Sequence, residues 1–201
     1  MKFKNGPKKF LFQGPPGIGK THCVGVLTNT TKRQLYLLNW VQIISKSFED
    51  YKKYLDETFE EINKHFKLNE VIILLENIEV LLEYQNHPEY LKYWMILANH
   101  LKYLNEQIIL ISTTNEYPKL PKLLVENFDV IIDFSQYSRE ELQLIAQNYF
   151  KKYTQDFEVL NLSFKLFEKI ISKVEQLPFP GQLKKIIKNS LALSADTPNN
   201  F

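Results

Sequence analysis

Eight consecutive residues, Gly14, Pro15, Pro16, Gly17, Ile18, Gly19, Lys20 and Thr21, satisfy the pattern G-x-x-x-x-G-K-[ST] at every fixed position, and they constrain the chain more than any other stretch. The glycines let the backbone curl so that successive N–H groups point at phosphate oxygens. The lysine brings positive charge to the β- and γ-phosphates, and the final hydroxyl is offered to Mg²⁺. Such a loop works between a buried strand and the amino end of a helix, whose dipole favours the phosphates. Both flanks conform: Lys9 to Gln13 reads as a buried strand, and Lys20 to Asn29 continues as a helix with His22 in its first turn. The loop residues and His22 are therefore the candidate nucleotide-binding set, with Thr21 also a candidate metal ligand.

The remaining chain alternates strand and helix signals. Asn29 to Arg33 is turn-like, and Gln34 to Asn39 is an apolar run of strand length. From Phe48 onward Tyr51, Leu55, Phe59, Ile62 and Phe66 recur at helical spacing. Val71 to Leu75 is wholly apolar and ends in Glu76, the pattern of a central parallel strand buried on both faces. His87-Pro88 marks the start of a helix running to about Leu104, with Leu91, Trp94, Leu97, Ala98 and Leu101 on one side. Gln107 to Thr113 is a buried strand running into Thr114-Asn115; Pro118 and Pro121 break the next stretch, Leu123-Leu124 suit one helical turn, and Val130 to Phe134 is a last strand. This order predicts an α/β fold, a phosphate-loop three-layer sandwich whose parallel sheet offers ligand sites at the carboxyl ends of its strands. Strand signals stop near Ser135. Three helical patterns follow, Arg139 to Tyr153, Phe164 to Gln176 and Leu183 to Ala195, the last after a Phe179-Pro180-Gly181 turn. Residues 1–135 are the expected nucleotide-binding core and residues 136–201 a small helical lid.

Composition narrows the function. A formal net charge of +2, with no basic tract carrying interleaved aromatics, gives no indication of nucleic acid as a partner. The apolar runs are far shorter than a membrane span, and Met1 to Pro7 has no secretory apolar core. Cys23 is the single cysteine, which fits a reducing compartment, and His22, His65, His87 and His100 lack metal-ligand spacing. A soluble intracellular protein of cytoplasm or organelle matrix is expected.

The loop GPPGIGKT, an apolar strand running into acidic residues, Ile111 to Asn115 on the next strand and a helical C-terminal segment together resemble the AAA family of ATPases over nearly the whole chain. The family's loop commonly reads GPPGTGKT, which differs here at Ile18 alone, and its first sensor strand commonly ends A-T-T-N, to which Ser112 to Asn115 corresponds. The resemblance implies ATP and Mg²⁺ as ligands, and it places Asn115 at the γ-phosphate or the attacking water, where an amide both donates and accepts. Lys184 stands where the family's lid usually carries an arginine that senses phosphate, and Ser47-Phe48-Glu49 where it carries a substrate-gripping loop, of which only the middle position is kept.

Two departures bear on activity. The family's strand ends in Asp-Glu, the first for Mg²⁺ and the second to polarise water; here those places hold Glu76 and Asn77. Glu76 can still serve the metal, whereas a neutral amide cannot act as a base near pH 7; Glu79, two residues on, is a possible substitute. The arginine finger of ring-forming members has no counterpart either: Glu126 to Asp129 occupies that place, the only arginines are Arg33 and Arg139, and Lys122 lacks the planar fork. Only eight residues precede the first strand, where relatives carry a segment lining the adenine, so a domain of a longer protein or a reduced copy inside a larger assembly is expected. The sequence thus points to an ATP-binding domain of weak or absent hydrolysis, a structural or regulatory subunit with protein partners. The alternatives are an active ATPase remodelling proteins in a mixed ring, with Glu79 as base, and a DNA-associated relative suggested only by Gly181 to Lys184.

Overall fold

A computed structural model describes residues 6–38, 47–65, 71–135, 137–154 and 178–196, with the single positions 169 and 173. Strand β1 (Lys9–Gln13) leads into the phosphate loop and helix α1 (Lys20–Thr31), and β2 (Gln34–Leu38) follows. Helix α2 (Phe48–His65), β3 (Val71–Leu75), a 3-10 segment Ile78–Tyr84, helix α3 (Tyr90–Lys102) and β4 (Ile109–Thr114) come next. A short 3-10 turn Tyr117–Lys119, one helical turn α4 (Lys122–Val125) and β5 (Val130–Asp133) complete the first part; α5 (Arg139–Thr154) and α6 (Pro180–Asp196) end it. The five strands form one sheet in the order β2-β3-β4-β1-β5, parallel throughout.

Strand periodicity explains the layering. Side chains alternate across a strand, so Ile73 and Leu75 of β3, with Leu11 and Leu110, join Tyr51, Leu55, Phe59 and Ile62 of α2 and Trp94, Leu97 and Leu101 of α3 in one core. Ile72 and Leu74 join Phe12, Ile111 and Val24 of α1 in a second core on the other face. All of β3 is buried, as its unbroken apolar run requires. At the sheet edge Leu35 and Leu37 of β2 are exposed.

Several local expectations change. Asn29 to Thr31, which read as a turn, finish α1; the helix stops at Lys32, whose φ of 54° is left-handed and ends the ladder. Leu91, expected on the buried side of α3, is 62% exposed, and the buried face begins at Tyr93 instead. Asn39, Phe66 and, apart from Lys169 and Lys173, the Phe164 to Gln176 pattern lie outside the described residues. Two helices start on reciprocal caps: Ser47 accepts from Asp50 N–H at 3.1 Å and its own hydroxyl donates to the Asp50 carboxylate at 2.9 Å. At α5 the Ser138 backbone N–H donates to Glu141 Oε2 at 2.7 Å, and the Ser138 hydroxyl accepts the Glu141 N–H at 3.2 Å.

The chain divides into two compact units. One comprises residues up to Pro15 and Lys20–Phe134, the sheet and its helices. The other comprises Ser135 onward together with the four loop residues Pro16–Gly19. In that second unit Leu142 and Ala146 of α5 pack on Leu183 and Ile187 of α6, with Tyr137, Tyr149, Phe150 and Tyr153 around them.

Candidate functional site

The phosphate loop bends through positive φ at Gly14 (141°), Gly17 (77°) and Gly19 (114°), conformations that a side chain would strain. Lys20 opens α1 and is 7% exposed. Its ammonium group donates to Gly14 O at 2.5 Å, Pro15 O at 3.0 Å and Asn115 Oδ1 at 2.8 Å, which engages all three of its N–H donors. Burial pulls the Lys20 pKa below the ordinary lysine value, and the charge of Glu79 opposes that shift. A charged lysine held among oxygens at a helix amino end is what a phosphate requires.

Three strands and their loops deliver the remaining groups. Thr21, one residue into α1, donates its hydroxyl to the Glu76 carboxylate at the end of β3. These are two hard oxygen donors side by side, and the pair fits Mg²⁺, which is usually held by one or two carboxylates and substrate phosphates rather than by a full protein cage. Among the described residues no group of three or more His, Cys, Asp or Glu forms a separate metal centre.

Asn77 follows Glu76 and is exposed. Its backbone is left-handed, φ 54° and ψ 55°, as the chain turns from β3 into the 3-10 segment. Its N–H is fixed by Thr113 Oγ1 of β4 at 3.0 Å. Asn115, just past the end of β4, donates from its backbone N–H at 3.2 Å and from Nδ2 at 2.5 Å to the same oxygen, Glu79 Oε1. Its Oδ1 is the oxygen that meets Lys20. The amide orientation is thus set by a cation on one side and a carboxylate on the other. Glu79 Oε2 is buried and accepts no hydrogen bond among the described residues. The structure therefore brings together Lys20, Thr21, Glu76, Glu79 and Asn115, with Asn77 at the carboxyl end of the same central strand.

A model of the ATPase family associated with various cellular activities, AAA, matches residues 10–136, well over half of the chain. The chain belongs to the AAA family. Over 150 residues it is 27% identical to a 26S proteasome regulatory subunit homologue of Methanocaldococcus jannaschii, covering 73% of this chain and 40% of that protein. A second such homologue, from Methanothermobacter thermautotrophicus, is 26% identical over 146 residues, covering 71% and 39%. The chain spans about two fifths of the length of these archaeal relatives. In fold it is similar to the AAA domain of FIGL-1, crystallised with ADP, at a TM-score of 0.71 and 17% identity over 98% of this chain and 64% of the other. That likeness covers the five-stranded parallel sheet and its helices, an α/β fold of the phosphate-loop type.

Other positions singled out by AAA resemblance have ordinary structural surroundings. Phe48 sits at the start of α2 between the Ser47–Asp50 cap and the core, its ring edge-on to Tyr93 at 5.1 Å. Asn127, at the finger's place, donates its side-chain amide to Leu123 O at 2.7 Å, capping the end of α4. His22 is exposed on α1, and Lys184 is exposed on α6 within the second unit. Sequence reasoning missed Thr113 and Tyr137. Tyr137 donates its hydroxyl to Ile18 O at 3.1 Å, a contact across 119 residues that no local pattern announces.

Proposed function

We propose that the chain is an ATP-binding AAA domain with slow or absent hydrolysis, a structural or regulatory subunit of a larger assembly. The observation that carries this reading is Asn77. It stands at the carboxyl end of the central strand, directly after Glu76, and its side chain is a neutral amide that accepts no proton near pH 7. Loss of general-base assistance costs typically a factor of a hundred or more. Lys20 and the loop amides would still bind the phosphates, and Thr21 and Glu76 would hold Mg²⁺, which when bound neutralises charge on the β- and γ-oxygens.

An arginine finger is worth on the order of a thousandfold or more, and here Asn127 caps a helix in its place. This favours a mixed assembly in which neighbours bear the missing groups. The archaeal relatives, named as subunit homologues of the 26S proteasome regulator, favour a multi-subunit setting for this chain too. Residues 136–201 would serve as the helical lid.

A competing reading, an active ATPase of a mixed ring with Glu79 as base, draws on the buried Glu79 Oε2, which has no partner among the described residues. Against it, Glu79 Oε1 is already taken by both Asn115 donors. Calorimetry with Mg-ATP, paired with turnover on the same sample, separates the two. Binding in wild type, its loss in Lys20→Ala and little phosphate release support the proposal. Brisk release from the isolated chain contradicts it, and equal affinity of wild type and Lys20→Ala removes the phosphate-loop assignment.

A further inference from the structure

The crown of the phosphate loop, Pro16–Gly19, groups with the C-terminal helices rather than with the sheet. Two contacts account for this. The Tyr137 hydroxyl donates to Ile18 O at 3.1 Å, and the Gly181 N–H donates to Gly17 O at 2.8 Å. Gly181 is the second residue of α6, where a helix N–H has no intrahelical acceptor, and residue 180 before it is a proline without N–H. The loop carbonyl supplies the acceptor.

The approach is close. A Cβ on Gly181 would lie 2.8 Å from Gly17 O and 3.1 Å from Gly17 Cα, which backbone atoms cannot relieve. A Cβ on Gly19 would lie 3.5 Å from the Tyr137 hydroxyl. Tyr137 is in turn packed against the α5–α6 core of Leu142, Ala146, Leu183 and Ile187. The carbonyls of two successive loop residues are therefore held by Tyr137, packed on that cluster, and by the first turn of α6, the helix whose Leu183 and Ile187 belong to it. In a phosphate loop it is the N–H groups that must converge on the anion. Anchoring the carbonyls of residues 17 and 18 fixes the peptide planes whose N–H groups belong to residues 18 and 19.

We propose that Tyr137 is a positioning residue for the phosphate loop, which with the Gly181 N–H holds the loop's peptide planes in the orientation that presents their N–H groups to phosphate, and which ties that orientation to the α5–α6 cluster. The functional half of this inference rests on the nucleotide-binding reading above. The anchoring itself does not, so the two can fail separately.

The test uses the full chain and Tyr137→Phe, which removes one oxygen and keeps the ring in its cluster. Hydrogen exchange is followed at the amides of residues 17–20 without nucleotide, and mant-ATP with Mg²⁺ is titrated into both proteins. The expected result is loop exchange several-fold faster in Tyr137→Phe, unchanged protection in α5 and α6, and mant-ATP affinity lower by roughly three- to tenfold, the worth of one hydrogen bond. Unchanged loop exchange overturns the inference, as does loss of protection throughout α5 and α6, which would make the hydroxyl a helix-packing group. Faster loop exchange with unchanged mant-ATP affinity overturns its functional half. A wild type that binds no mant-ATP while its loop still loosens in Tyr137→Phe upholds the anchoring and counts against the nucleotide reading instead.

Discussion

Glu79 and Asn115 are joined twice through one oxygen: Glu79 Oε1 accepts the Asn115 backbone N–H at 3.2 Å and its side-chain amide at 2.5 Å. With Asn115 Oδ1 on Lys20, this makes a carboxylate–amide–ammonium chain that links the segment after β3, the end of β4 and the start of α1.

Removing the acceptor at its head strands both Asn115 donors. Glu79→Ala should lower stability by about 1–3 kcal/mol, the cost of unsatisfied partly buried donors, read as a lower urea midpoint. Glu79→Gln keeps an oxygen in place and should lose clearly less. Equal losses for the two variants would mean that the pair is not what orients Asn115.

Phe48 and Ser47 should behave as structural residues. Ser47→Ala removes a reciprocal cap and should cost about 1 kcal/mol, and Phe48→Ala, half-buried against Tyr93, should cost about 2 kcal/mol. Nucleotide affinity, measured alongside urea unfolding, should move in neither. A Phe48→Ala protein of wild-type stability would return Phe48 to the substrate-gripping role that its position in the chain suggests.

The pair His100–Asp56 sets a pH dependence. His100 Nε2 lies 2.9 Å from Asp56 Oδ1, and its ring stacks on Phe59 at 4.8 Å, joining α3 to α2. Burial pulls the His100 pKa below its usual 6.5, more than the hydrogen bond and charge of Asp56 raise it. The unfolded chain then binds a proton that the folded chain resists. The stabilisation is fully present above 6.5 and lost as pH falls towards the lower folded value. Urea midpoints should therefore drop between about pH 7.5 and about pH 5.5 in wild type, and drop less in His100→Gln. A wild type that gains stability on acidification would show that the Asp56 charge dominates.

What was legible in the sequence follows from what is locally determined. Val71 to Leu75 reads as a central strand because five successive apolar side chains offer solvent neither face, and that is how it sits. The loop was legible because its glycines and lysine specify backbone shape and charge directly. Asn29 to Thr31 misled because Asn and Thr favour turns, while the helix in fact ends on the left-handed Lys32. Leu91 misled because apolar spacing alone does not say where a neighbour is available to cover it. Tyr137 and Gly181 carried no local signal, since their partners are set by the tertiary fold.

Assembly offers an independent check on the proposal that the chain carries no arginine finger. With only Arg33 and Arg139 in the chain and Asn127 engaged at the end of α4, the isolated protein should be monomeric or weakly associating by light scattering. A stable homohexamer whose ATPase rises on assembly would contradict the mixed-assembly reading.

The most direct measurement is single-turnover hydrolysis of Mg-ATP by wild type and Asn77→Glu, with affinity determined on the same preparations. Asn77→Glu puts a carboxylate directly after Glu76 and leaves Lys20, Thr21 and Glu76 unaltered. Under the proposed function, in which the chemical step alone lacks a group, hydrolysis should be faster by on the order of a hundredfold with affinity little changed. A wild type that already turns over briskly, is stopped by Glu79→Gln and gains nothing from Asn77→Glu would make Glu79 the base and contradict the account.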